Sequence, residues 1–175
     1  MAESRFVTSE MNIRGMLRRC DKCTVITNNA RLIMTHNELR NLRLTGIASK
    51  KHSIIINSEC NNQQLGHWFT LLIFPNRHAI ICDGLNETFQ QRDILMNLKV
   101  FCRNNNLVLH NLGFRCQQTT SKKCGYISLF FTAKASTLSY FSFMRLIHML
   151  DHGSINSKEQ YIMHFVAKHF NIPFY

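Results

Sequence analysis

Among the seven cysteines, one stands where a thiol can be made reactive. Cys124-Gly125-Tyr126 opens an apolar run that continues to Ala135, and Lys122 and Lys123 immediately precede it. A free thiol with a pKa of about 8.5 is mostly protonated at neutral pH. A helix beginning at Cys124 would offer unsatisfied N–H groups and partial positive charge, both of which favour a thiolate. An imidazole within hydrogen-bond reach would complete a nucleophile–base pair. Gly66-His67-Trp68-Phe69 heads one apolar, strand-like run, and Cys82-Asp83-Gly84-Leu85 ends the next. If these runs are antiparallel neighbours across a short turn, Asp83 can hold the ring of His67 in one tautomer and orientation. Gln117 and Gln118 lie seven and six residues before Cys124. Either can bring a side-chain amide beside the Cys124 backbone N–H to hold an oxyanion, and the spacing leaves the choice open. The order His67, Asp83, Gln117 or Gln118, Cys124 is the equipment of a thiol that attacks a carbonyl and holds the resulting oxyanion.

Each piece also has a bland reading. A lone cysteine on an apolar helix is usually inert core, Asp83 before Gly84 can simply cap a turn, and Trp68 can be plain core. The four features in one order outweigh those readings taken singly, since nothing but catalysis needs all of them. Cys20-Asp21-Lys22-Cys23 has the spacing of half a zinc site, but a zinc site needs four ligands and no second pair is evident, so no metal is expected. Cys60, Cys102 and Cys116 read as structural thiols.

The formal charge is +11 with a pI near 9.7, and only 10 acidic residues are available to neutralise the basic ones. Such an excess points to a polyanionic partner. We expect DNA, met by Arg14, Arg18, Arg19, Lys22, Arg40, Arg43, Lys50 and Lys51, with Arg103, Arg115, Lys122 and Lys123 as a possible extension. The odd, scattered cysteines and the charged N-terminal stretch imply no signal peptide and a reducing intracellular compartment. The longest apolar candidate, Tyr126 to Leu150, is interrupted by Lys134 and Arg145, so a membrane span is not expected.

The elements that must position these residues follow from periodicity. Ser9 to Cys20 reads as a helix with Ile13, Met16, Leu17 and Cys20 on one face. Thr35 and Glu38 form a capping-box pattern, which predicts a helix to about Leu44. Ser53–Asn57, His67–Phe74, Ala79–Asp83 and Leu107–Leu112 read as strands, with Pro75-Asn76-Arg77 as a hairpin turn. Thr88 with Gln91 predicts a helix carrying Leu95, Leu98, Phe101 and Cys102 on one face. Gly125 to Ala135 is apolar on most sides, as a central buried helix would be. Ser157 with Gln160 predicts a last helix with Tyr161, Ile162, Phe165 and Val166 inward. The expected architecture is α+β, a mixed central sheet flanked by helices, as one domain over residues 1–175.

With these residues in place, the chain resembles the adenovirus maturation protease, adenain, and the ubiquitin-like-protein (SUMO) proteases that share its papain-like core. Ile54-Ile55-Ile56-Asn57 ahead of Gly66-His67-Trp68 resembles the family's apolar strand ending in Asn and its His-Trp pair. Asp83-Gly84-Leu85 resembles the SUMO proteases' Asp-Ser-Leu, and Gln117-Gln118 through Cys124-Gly125 resembles their Gln-Gln … Cys-Gly. The Gln117 spacing fits adenain and the Gln118 spacing fits the SUMO proteases; we favour Gln118. The likeness covers about residues 53–135 and, more loosely, the C-terminal helix, and the stretch from Asp83 to Cys124 is shorter than usual in the family. It implies a papain-like cysteine protease core with the nucleophile at the N-terminus of the central buried helix. It implies substrate contacts at Trp68, Asn57 and Gly125, with the Trp68 indole narrowing the approach to Cys124 so that only Gly fits before the scissile bond. It also implies a viral or virus-derived endopeptidase that cleaves virion precursor proteins as a monomer in the virion and host nucleus. The chemistry needs no cofactor; DNA, or a viral peptide joined through a disulfide, would be an activator. The alternatives are a deconjugase of a ubiquitin-like modifier and a basic nucleic-acid-binding structural protein on a protease fold.

Overall fold

The computed structural model describes residues 10–19, 33–46, 49–59 and 66–172. A five-stranded mixed sheet runs β1 (Ile33–Thr35), β2 (His52–Asn57), β3 (Trp68–Ile73), β4 (His78–Cys82), β5 (Val108–Asn111), in that spatial order. The three central strands are antiparallel neighbours, while each edge strand pairs in parallel. Helix α1 (Glu10–Arg19) precedes the sheet and α2 (His36–Leu39) follows β1; α3 (Arg92–Asn104) links β4 to β5. Three helices close the described chain: α4 (Cys124–Thr137), α5 (Tyr140–Asp151) and α6 (Ile155–Phe170). The fold is α+β, as expected. No helix among the described residues is long and apolar enough to cross a membrane.

Strand side chains alternate between two faces, and both faces are buried. Ile54, Ile56, Phe69, Leu71, Ile73 and Ile81 pack against Ile94, Leu98 and Phe101 of α3. Ile55, Trp68, Leu72, Ile80 and Cys82 pack against Ile127, Phe130 and Phe131 of α4, with α1, α5 and α6 behind. A strand covered on both sides reads as a continuous apolar run, which is why Trp68-Phe69-Thr70-Leu71-Leu72-Ile73 is buried throughout. Helix α4 lies between the sheet and other helices, so it too is apolar nearly all round. A polar tie to the sheet is Thr70 Oγ1 donating to the Ser128 carbonyl at 3.2 Å.

Several expectations need correction. The Thr35–Glu38 capping box is present, but its helix ends at Leu39 and does not reach Leu44. The backbone at Leu42 and Leu44 is instead docked on the Asn105 side chain, just beyond α3. Thr88 does not cap a helix. It begins a short 3-10 turn, and α3 starts after Gln91. The last helix is capped by Ser154, three residues before Ser157, and Tyr161 is exposed. Helix α5 was not anticipated, although Ser139 caps it by accepting from the Ser142 N–H. Cys20 and the C-x-x-C pair lie outside the described residues.

Candidate active site

The hairpin sets the geometry first. Pairing of Thr70 with Cys82, and of Asn57 with Trp68, brings the start of β3, the end of β4 and the end of β2 to the same edge of the sheet. His67 stands one residue before β3, and its backbone is pinned to that end of β2. Its N–H donates to Ser58 Oγ at 2.9 Å, and its carbonyl accepts from the Ser58 N–H at 2.8 Å. Across the hairpin, His67 Nε2 lies 2.6 Å from Asp83 Oδ1.

Asp83 is held independently of the histidine. The residues after it fold back, so that Oδ1 accepts from the Leu85 N–H and Oδ2 accepts from the N–H groups of Glu87 and Thr88 and from the Thr88 hydroxyl, all at 2.7–2.9 Å. The hydroxyl that sequence reading assigned to a helix cap is therefore consumed by the acid. Burial pushes the Asp83 pKa up, but His67 and Thr88 outweigh it and hold the carboxyl well below the usual aspartate range. It is a fixed anion with 1% of its side chain exposed.

The Cys124 thiol is the second group that acts on the His67 ring. With Nε2 committed to Asp83, Nδ1 is the nitrogen left for the thiol. Burial alone would depress the histidine; hydrogen bonds and charge from Asp83 and Cys124 more than offset it and raise the pKa to about 10. The ring is thus biased toward imidazolium, the partner an attacking thiolate requires. Cys124 is the first residue of α4 and partly exposed, and no side chain caps that helix end. By contrast Cys82, Cys102 and Cys116 are buried, and burial pushes each thiol up, Cys102 to about 12.

The tandem glutamines part company. Gln117 is buried beside Gly84, its Nε2 donates to the Ser121 carbonyl at 2.7 Å, and its Oε1 has no protein partner. Gln118 is exposed, its amide donates to Asn156 Oδ1, and its N–H donates to Glu159. Gln118, the residue favoured in the sequence, has its amide turned to α6; Gln117 is the one enclosed between the acid turn and α4.

The remaining candidates divide in the same way. Trp68 is buried on the α4 face of the sheet, in the core cluster on which Cys124 packs. Gly125 is buried in the first turn of α4. Asn57, expected at the substrate, is buried and acts on its own chain: its Oδ1 accepts from the Glu59 N–H and packs against Gly66, where a Cβ would come within 1.8 Å of it. Of the basic residues, Arg18, Arg40, Arg43 and Lys50 are exposed. Two are instead used structurally. Arg14 donates to the Ile33 carbonyl, and Lys51 Nζ donates to the carbonyls of Ala135, Ser136 and Leu138 at the end of α4. Lys22, Cys60 and the Arg19 side chain lie outside the described residues. Cys102 and Cys116 are too buried to serve a disulfide to an activating peptide. Among the described residues no group of three or more His, Cys, Asp or Glu side chains is arranged to hold a metal ion.

Sequence reading missed Ser58, Thr88 and Glu159. Thr88 carried a signal, a hydroxyl a few residues beyond an Asp-Gly turn, that was read as a helix start. Glu159 carried none, because its partners are 36 and 41 residues away. No family model, curated protein or solved structure matches this chain.

Proposed function

We propose that this chain is a cysteine endopeptidase with a papain-like core, in which Cys124 is the nucleophile, His67 the base, Asp83 the orienting acid and Gln117 the side-chain donor to the oxyanion. One observation carries the reading: a single imidazole is held 2.6 Å from a buried carboxylate, and its proton affinity is raised both by that carboxylate and by a thiol at the open N-terminus of a buried helix.

The chemistry follows from those positions. The Cys124 proton passes to His67 Nδ1, and Sγ attacks the substrate carbonyl carbon. The resulting oxyanion is met by the Cys124 backbone N–H and the Gln117 amide. Collapse of the tetrahedral species breaks the C–N bond, with His67 giving its proton to the departing amine. Water, deprotonated by the same imidazole, then hydrolyses the thioester and restores the thiol. Asp83 keeps the ring oriented through both halves.

The substrate side of the proposal rests on the resemblance to adenain-type proteases. The substrate carries Gly before the scissile bond, because the Trp68 indole leaves no room for a side chain. Virion precursor proteins are the proposed substrates, and DNA the activating polyanion, supported by the charge of +11. A peptide library tests this. Cleavage should fall after Gly, vanish on alkylation of Cys124 and vanish in His67→Ala. Added DNA should speed cleavage, and high salt should reverse that gain. Efficient cleavage after Leu or Phe would exclude the tunnel, and hydrolysis that survives His67→Ala would exclude the assignment.

A further inference from the structure

We infer that Glu159 is a positioning residue for the oxyanion hole: its buried carboxylate fastens both ends of the segment that joins Gln117 to Cys124. The inference rests on the thiol-protease reading above and adds a residue from a helix that reading does not use.

Glu159 is 4% exposed on the second turn of α6. Its Oε2 accepts the Gln118 N–H at 2.9 Å, and its Oε1 accepts Lys123 Nζ at 2.9 Å. Gln118 directly follows the amide donor, and Lys123 directly precedes the nucleophile. A buried carboxylate is costly unless its oxygens are well satisfied, and both bonds here are charge-assisted and therefore strong. Of the described contacts, no other side chain spans the two ends. Its neighbours strengthen the grip: Asn156 takes the Gln118 amide, and Lys158 Nζ, held by Asp151 Oδ1 at 2.6 Å, reaches the Arg115 carbonyl. Within about one turn, α6 therefore holds the segment at Gln118 and Lys123 and the chain just before it at Arg115.

What this controls is a separation. Oxyanion donors must converge to about 2.7–3.1 Å from one oxygen, so the distance between the Gln117 amide and the Cys124 N–H has to be held constant. Within the segment Gln117 Nε2 donates to the Ser121 carbonyl and the Ser121 N–H to the Gln118 carbonyl, and at its start the Gln117 N–H is tied to the Gly84 carbonyl. Glu159 supplies the brace that joins its two ends. It touches neither His67 nor Asp83 by any hydrogen bond described, so losing it should impair transition-state binding and leave the nucleophile–base pair intact.

The test compares the unmodified chain with Glu159→Ala and Glu159→Gln, with Cys124→Ala as the blank. Three quantities are read: kcat and KM on a Gly-containing peptide, the inhibition constant of a peptide aldehyde that forms a tetrahedral adduct, and the rate at which iodoacetamide alkylates Cys124. Alkylation needs the thiolate but builds no oxyanion. In Glu159→Ala we expect kcat to fall by about 100-fold and aldehyde inhibition to weaken in parallel. KM and alkylation should stay within about threefold. Glu159→Gln, which keeps a hydrogen-bond acceptor, should recover part of kcat; if the alanine variant does not fold, it carries the same readouts alone. An unchanged kcat, or a fall in alkylation equal to the fall in kcat, overturns the positioning role. An unmodified chain that hydrolyses nothing fails one step earlier, and sinks the protease reading itself.

Discussion

The two ends of α4 face opposite demands and meet them in opposite ways. Its last carbonyls, which carry partial negative charge, are closed by the ammonium of Lys51, reaching from the start of β2 to three acceptors at once. Its first turn, which carries partial positive charge, has no side-chain cap and is occupied by a partly exposed thiol. A helix kept only for packing has reason to satisfy both ends. Leaving one end open, beside an imidazole locked to a buried acid, makes that end available to a developing anion. The comparison also reassigns a charge: Lys51, expected to face DNA, is a helix terminator.

The sharpest way to break this contrast is at the open end. Cys124→Ala should reduce hydrolysis of a Gly-containing peptide to background while circular dichroism and melting temperature stay close to those of the parent. Residual turnover would move the chemistry elsewhere. Next, the two glutamines should differ. Gln117→Ala should lower kcat by about 100-fold, whereas Gln118→Ala, whose side chain serves α6, should change it by less than about threefold; steady-state kinetics of both variants decides. The opposite ranking would restore Gln118 as the donor.

A third experiment concerns proton affinity. The raised pKa of His67 means that the stabilisation it draws from Asp83 is fully present below its ordinary value of 6.5 and is lost as pH climbs through about 10. The depressed pKa of Asp83 means that its own contribution is present above about 3.8 and fades only as pH falls well below that. In Asp83→Asn the burial that lowers the histidine goes unopposed by the carboxylate, so the alkaline limb of kcat/KM should move to lower pH. Titration of the His67 ring by NMR should show the same shift, and an unmoved limb would mean that Asp83 does not govern the base. The smallest effect belongs to the closed end. Lys51→Ala should cost about 1–3 kcal/mol of stability in a denaturant melt, with kcat and the salt dependence of DNA binding unchanged.

How legible was all this in the sequence? Local signals did well. The apolar run of β3, the hairpin through Pro75 and the start of the buried helix at Cys124 are written in short stretches, and they suffice to bring His67, Asp83 and Cys124 to one place. What failed was competition for the same group. Thr88 has every local mark of a helix cap, but its hydroxyl also carries a proton, and it donates that proton to the carboxylate of Asp83. Lys51 looks like any surface cation until the end of α4 arrives beside it from 84 residues away. The Gln117–Gln118 choice was beyond spacing altogether, since it depends on α6 drawing one amide outward. Helix α5 escaped because its exposed Phe141 and Met149 blur the apolar stripe that marks an amphipathic helix.

Gly84 carries a consequence that reaches past its place in a turn. Its carbonyl accepts from the N–H groups of both Cys116 and Gln117, and a Cβ added to it would come within 3.0 Å of Gln117 Oε1, 3.1 Å of Gln117 Cβ and 3.2 Å of Ile127 Cδ1. The turn after Asp83, the chain at Gln117 and the helix that begins at Cys124 thus meet so closely that an added methyl group would need its neighbours to give way. Gly84 works as a spacer of zero thickness. A single carbon atom inserted there would act as a wedge, pressing on all three while altering none of them.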